Sequence, residues 1–410
     1  MNRVPFLALA LFSVSACFCM SAPAQVAVRG ETVYTMAGPP IMDGVVLMKE
    51  GKIAAVGRAD QIDVPEGFKV LRAKVVTPGL IDAHTTVGLS GILNYDQDQD
   101  QLESSEPIQP ELRAIDAYNS QEDLVDWVRS FGVTTIHTGH GPGELMSGQT
   151  MIVKTTGNTV KDAMMVESRA VAVTLSTQAQ KSESKSPGTR GKMLSMLRAE
   201  LIKAQEYAKK VDAASEDKEA DPPARDLRKE TLVRVIKGEL PLLVTAHRSQ
   251  DIASALRLAD EFEIQVWLDG AAEAHLLIEE IAAAKVPVII HPTMARPTRD
   301  LENLSFETAS KLVQAGIPVA MQSGYEAYVP KTRVVLFEAA MAAANGLTLE
   351  QTLASITLDS ARILGVDDRV GSLEVGKDGD VALYDGDPFE YTSHCIGVII
   401  NGTVVSQQKR

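Results

Sequence analysis

Cysteine is nearly absent from this chain, with three among 410 residues. Two of those, Cys17 and Cys19, fall in an apolar N-terminal run. Removal of that run leaves Cys395 alone, so no internal disulfide framework can form. Cys395 reads as a partly buried small hydrophobe, not a nucleophile. An excess of positive charge is missing too: 54 acidic against 40 basic side chains give a net charge of −14. Phosphate binding needs clustered Lys and Arg, so no nucleic-acid partner is expected, and acidic charge more simply keeps a protein soluble. The sequence contains no short internal repeat. It also lacks a convincing membrane span: Val4 to Met20 is apolar but short, and polar sequence follows at once.

That short run has the form of an export signal. Arg3 supplies a positive n-region, and Ala22-Pro-Ala24 offers small residues where a signal peptidase reads them. Within it, Val14-Ser-Ala-Cys17 resembles a bacterial lipobox, which would leave Cys17 lipidated; the alternative is cleavage after Ala24. Residues 1–24 are read as a signal peptide, and either route predicts a periplasmic or secreted protein.

What remains is ordinary in composition, 45% hydrophobic and 23% charged, and long enough for one large domain plus a small one. Residues 26–76 hold short β-prone runs (Val26–Arg29, Thr32–Met36, Gly44–Met48, Ile53–Val56) divided by Gly, Pro and Asp. The last forty residues look alike, with Val381–Tyr384, Ile396–Ile400 and Thr403–Val405, the last two joined by an Asn401-Gly402 hairpin signal. Neither end has enough strands for a sheet alone. Together, 25–76 and 370–410 predict one β domain built from both termini.

Between them, strands alternate with helices, the pattern of a parallel sheet. Val75–His84, Thr134–Thr138, Leu242–His247, Ile264–Asp269, Val286–His291 and Ile317–Ser323 read as buried strands. Ser120, Ser249 and Ser305 are expected to cap helices, and 348–364 predicts one amphipathic helix stopped by Gly365. Residues 170–230 are irregular, with a helix expected over 193–210. The size and alternation fit a (β/α)8 barrel over 77–369, whose active site would lie at the carboxyl ends of the strands.

The histidines favour those ends. His84, His137, His140, His247 and His291 fall at or just past a strand terminus, and Asp269 does the same. Together they offer the nitrogen and oxygen donors that a zinc-like ion takes. Each has a plainer alternative: Asp269 as a helix cap, His291 as a loop residue before Pro292, His137 and His140 as rim residues of a Gly-rich loop. His275 and His394 read as structural.

Four segments resemble the amidohydrolase superfamily, in its imidazolonepropionase-like and prolidase-like branch. They are Thr77-Pro-Gly-Leu-Ile-Asp-Ala-His84, Ser147-Gly-Gln-Thr-Met-Ile-Val-Lys154, Thr352 to Gly365, and Gly371 to Pro388. The resemblance implies a (β/α)8 barrel with a small β domain, and a divalent metal that activates water against a C–N bond. It would place ligands at His84 and His247, with Asp269, His291 or His140 completing the set; Lys154 is either a carbamylated bridge or a strand lysine bonded to a neighbouring carboxylate. The chain departs from the family pattern where Thr86 replaces a second strand-one histidine. Asp269 stands where a strand-six histidine is expected, and Gly324 where a strand-eight aspartate is expected, with Glu326 nearby as a substitute proton shuttle.

Two functions follow. One is an exported hydrolase of non-peptide amide bonds, cyclic ones included, using a rearranged site and zinc. The other is an inactive relative without metal that binds a small molecule or a partner subunit. Self-association, or pairing with a related amidohydrolase, is compatible with both.

Overall fold

The computed structural model describes residues 25–93, 95–182, 185–216, 222–291, 293, 295–325 and 334–410. The export segment with Cys17, and Glu326, lie outside the described residues.

The two ends of the chain do share one sheet. It contains β1 (Val26–Val33), β2 (Ile41–Lys49), β3 (Lys52–Arg58), β4 (Lys69–Pro78) and three C-terminal strands, Val381–Tyr384, Cys395–Ile400 and Thr403–Ser406. β4 is the seam, parallel to β1 on one side and antiparallel to Val381–Tyr384 on the other. The Asn401-Gly402 turn forms as expected: both residues have positive φ (49° and 68°), as a tight hairpin requires.

The strand expected over Val75–His84 is instead two. It breaks at Gly79, where the chain leaves the sheet and enters the barrel as β5 (Leu80–Thr85). A side chain at 79 would stand 2.1 Å from Thr134 Oγ1, so only glycine permits this passage.

The barrel continues through β6 (Val133–Thr138), β7 (Met146–Gln149) and β8 (Met151–Lys154). After an edge strand, β9 (Met164–Val166), come β10 (Val171–Thr174), β11 (Leu242–Ala246), β12 (Val266–Gly270), β13 (Val288–Ile290) and β14 (Val319–Met321). β10 to β14 run parallel, as do β5 and β6. The ring closes where Thr85 pairs with Gly324. One position departs from the expected all-parallel pattern. Residues 146–154 run backwards between β6 and β10, so β8 is antiparallel to β6 and β7 to β10.

Inside the ring, Ile81, Ala83, Ile152, Leu243, Trp267, Ile289 and Ala320 form one buried cluster, each large member contributing about 1.5–3 kcal/mol. Side chains alternate along a strand, so residues two positions further on point the same way. Leu243 is followed by Thr245, Trp267 by Asp269 and Ala320 by Gln322, which puts polar groups above an apolar floor.

The helices differ from expectation in detail. The one expected over 348–364 is two, Leu349–Ser355 and Leu358–Leu364. The break frees the carbonyl of Ile356 to accept the N–H of Ile81 at 2.7 Å, fastening the helix pair to β5. Gly365 ends the second helix in the left-handed region (φ 64°) as expected. The helix expected over 193–210 extends from Arg190 to Glu216. None of the three serines caps: the helices begin at Asp123, Ser249 and Thr308. At Ser249, Glu273 takes the helix N–H instead, at 2.6 Å.

Candidate active site

A cavity of about 300 Å³ opens at the carboxyl ends of the strands, with His84, Thr245, His247, Asp269, Gln322 and Tyr325 among its lining. Asp269 is its organising group. Its Oδ1 lies 2.9 Å from His84 Nδ1 and accepts Gln322 Nε2 at 2.8 Å. Its Oδ2 accepts the hydroxyl of Thr245 at 2.6 Å. Burial would raise this carboxyl, but His84 and the two donors hold it below the usual range. Burial likewise works against a charged His84, yet Asp269, helped by Asp82, lifts the imidazole above its ordinary value. Both directions describe one thing, an ion-pair-like hydrogen bond that neither partner would sustain alone.

The pair rests on His137, whose ring centroid lies 5.9 Å from that of His84 and 6.1 Å from Trp267. His137 is committed on both nitrogens, Nδ1 to the carbonyl of Ala83 at 2.7 Å and Nε2 to Thr150 Oγ1 at 2.6 Å. Burial, and then the charge of His84, press its pKa down to about 3, so it is a neutral prop.

His247 lines the same cavity and packs against Gly270. Its pKa is lowered by burial, against the pull of Asp269 and Asp300. The cavity wall is also tied across its mouth: Thr177 gives its N–H (2.8 Å) and hydroxyl (2.6 Å) to Asp300. This joins the loop bearing Gln178 to the loop bearing Thr298 and Leu301, all three of which line the cavity.

Other sequence candidates lie elsewhere. Lys154 is not a bridge between metals. Because β8 runs backwards, its C-terminal residue comes to the amino end of the barrel, where it bonds Asp380 and stands 3.1 Å from Asp378. His140 is buried against Gly148 and does not line the cavity; burial lowers its pKa to about 4. His291 is fully buried and does not line the cavity, and its backbone N–H is given to the carbonyl of Gly270 at 2.7 Å. Asp269 caps no helix, since its carboxylate is spent on His84, Thr245 and Gln322. Thr86 turns its hydroxyl to Ser90 at 2.9 Å. Thr245 and Gln322 were not singled out in the sequence, although each stands two residues past an apolar strand residue facing inward.

Comparison with known proteins identifies the family. Residues 119–406 match the sequence profile described as the Amidohydrolase family. The chain belongs to the amidohydrolase family. Among relatives, the imidazolonepropionase of Bacillus cytotoxicus is 26% identical over 403 residues, covering 92% of this chain and 90% of its own. Amidohydrolase tasK of Hapsidospora irregularis is 25% identical over 402 residues, 88% of this chain but 39% of that protein, so this chain spans well under half of that relative. An amidohydrolase structure from Thermotoga maritima MSB8 superposes with a TM-score of 0.87 at 26% identity, over 93% of this chain and 100% of that one. As an amidohydrolase, this protein is a hydrolase of carbon–nitrogen bonds other than peptide bonds.

Amidohydrolases generally depend on a divalent metal, and the donors here can be tested against one. A catalytic zinc takes about three protein ligands. Among the described residues, no three His, Cys, Asp or Glu side chains are placed to hold an ion. The reason is visible in the bonding. Asp269 has both oxygens occupied, Thr86 is tied to Ser90, and Lys154 and His140 do not line the cavity. The described donors do not fit a three-ligand centre.

Proposed function

We propose that this amidohydrolase cleaves the C–N bond of a small, cyclic or otherwise non-peptide amide held in the cavity at the carboxyl face of the barrel. The observation that carries this reading is the buried His84–Asp269 pair facing that cavity. A volume of about 300 Å³ is at the lower end for small-molecule sites and leaves little room for a polypeptide. Similarity to imidazolonepropionases along nearly the whole chain supports the cyclic class. The polar wall supplies groups to orient an amide: Gln178, Thr298 and Tyr325, the last held by Gln101 Nε2 at 3.0 Å from its hydroxyl.

The test is a hydrolysis panel of imidazolones, lactams, hydantoins, N-acyl amino acids and dipeptides on the mature protein, with H84A as control. Turnover of a cyclic amide, abolished by H84A, supports the reading. Folded protein that binds such amides without turning them over would favour a binding role for the barrel instead. Export is proposed from residues 1–24 alone; N-terminal sequencing and lipid analysis of the mature protein distinguish cleavage after Ala24 from lipidation of Cys17.

A further inference from the structure

We propose that the His84–Asp269 pair is itself the water-activating base of this protein, in a site that holds no divalent ion. The inference rests on the reading above that the cavity hydrolyses an amide, and it concerns how.

The donor arithmetic comes first. Asp269 receives three hydrogen bonds, from His84 Nδ1 at 2.9 Å, Gln322 Nε2 at 2.8 Å and Thr245 Oγ1 at 2.6 Å. Hydrogen bonds to a charged group are worth about 1.5–3 kcal/mol each, so an ion recruiting this carboxylate would have to displace several of them. Gln322 is anchored in turn, giving a second hydrogen bond to the carbonyl of Ile289 at 3.2 Å. Two nearby positions carry no ligand: Thr86 is paired with Ser90, and Gly324 has no side chain.

The same bonds equip His84 as a base. When His84 is neutral, giving its Nδ1–H to Asp269 fixes the tautomer that leaves its lone pair on Nε2. Nε2 is buried and has no hydrogen-bond partner among the described residues. An acceptor so placed is costly to leave unmet, and a water entering the cavity that His84 lines would meet it. His137 beneath is neutral and fully bonded, so it does not compete for the proton.

The reaction balances without any further reagent. The water oxygen bonds to the amide carbon as one water proton passes to His84 Nε2, and Asp269 stabilises the imidazolium that forms. The tetrahedral intermediate then collapses: the C–N bond breaks, the nitrogen takes the proton from Nε2, and the acid and amine leave, joined in one ring-opened product where the amide is cyclic. His84 is the catalytic residue in this scheme, and Asp269 positions it.

Metal content and histidine NMR of the full mature chain test the proposal, neither requiring a substrate. The protein is stripped with chelator, dialysed against zinc and against cobalt(II), and assayed for bound metal. Long-range proton–nitrogen spectra are recorded for wild type and D269N. The expected result is no near-stoichiometric metal, a protonated Nδ1 on His84 with a downfield bridging proton, and loss of that proton in D269N. For any amide the panel finds, turnover should survive chelator and fall about 10²–10⁴-fold in D269N. One zinc or cobalt per chain, lost in H84Q, overturns the proposal even if amides are cleaved, and leaves the hydrolase reading standing. Metal-free protein with the bridging proton but no turnover across the panel overturns both.

Discussion

The imidazole of His247 lies directly on Gly270: a Cβ added there would stand 2.4 Å from its Cε1 and 2.9 Å from its Nδ1. Gly270 also has a φ of 76°, where an L side chain costs about 1–2 kcal/mol. G270A should therefore do two things at once, strain the backbone and push His247 out of the cavity wall. Urea denaturation is expected to show a loss of about 1–2 kcal/mol from the backbone plus a steric part. In the double variant G270A/H247A the steric part should vanish, leaving the backbone cost. If the two substitutions are simply additive, His247 does not rest on Gly270.

Lys154 gives a prediction that separates structure from function. Its ammonium is buried between Asp380 and Asp378, at the junction of barrel and β domain. Removing one partner of a buried pair typically costs about 3–5 kcal/mol, because a charge is left uncompensated. Asp378 keeps Lys52 and Arg369, so the damage should centre on Asp380. K154M is expected to lower stability by that amount, measured by urea unfolding. Ligand or metal binding measured on the folded fraction should not change. A selective loss of binding with intact stability would return Lys154 to the active site.

The architecture was legible in the sequence because it is written in periodicity and turn chemistry. Asn401-Gly402, Gly365 and the strand–helix alternation each dictate a local geometry on their own. The candidate site was legible only in part. That His84, His247 and Asp269 line one cavity is legible because strand ends point to one face, a rule independent of partners. For Lys154 the sequence leaves a metal bridge and a carboxylate-bonded strand lysine open, and the second holds because residues 146–154 run against the barrel; direction is set by what a strand pairs with, not by its own residues. Thr245 and Gln322 were missed for a related reason. A threonine or glutamine acquires its role from the carboxylate that folding brings opposite it. The roles of His84 and Asp269 likewise depend on a bond spanning 185 residues.

Asp82 predicts that stability falls as the pH rises towards neutrality. Burial lifts its carboxyl from 3.8 to about 7, partly offset by hydrogen bonds from Ser323 and the backbone of His84. The folded state thus holds a proton that the unfolded chain gives up near 3.8. This contribution is complete below that value, declines through the interval, and is gone once the pH passes about 7. D82N keeps an oxygen to accept the Ser323 N–H, 3.0 Å away in the native protein. It should remove this slope and raise stability above pH 7 relative to wild type. Equal pH dependence in the two proteins would refute the assignment.

His140 predicts the opposite slope. Its ring is buried, neither nitrogen has a hydrogen-bond partner among the described residues, and burial lowers its pKa from 6.5 to about 4. Here the unfolded chain gains a proton that the folded state refuses. The neutral form's contribution is intact above about 6.5, then shrinks as the pH falls through the interval to about 4, by about 1.4 kcal/mol for each unit. H140L removes the titration without breaking a hydrogen bond, and its volume is close to that of histidine. Its stability should match wild type at pH 7.5 and exceed it at pH 5. His137, held down to about 3, continues to destabilise the wild type and the variant alike at lower pH, so the advantage of H140L should stop growing below about pH 4. Urea midpoints measured at half-unit steps would show this. If the two curves stay parallel between pH 6.5 and 4, His140 is already charged in the folded protein.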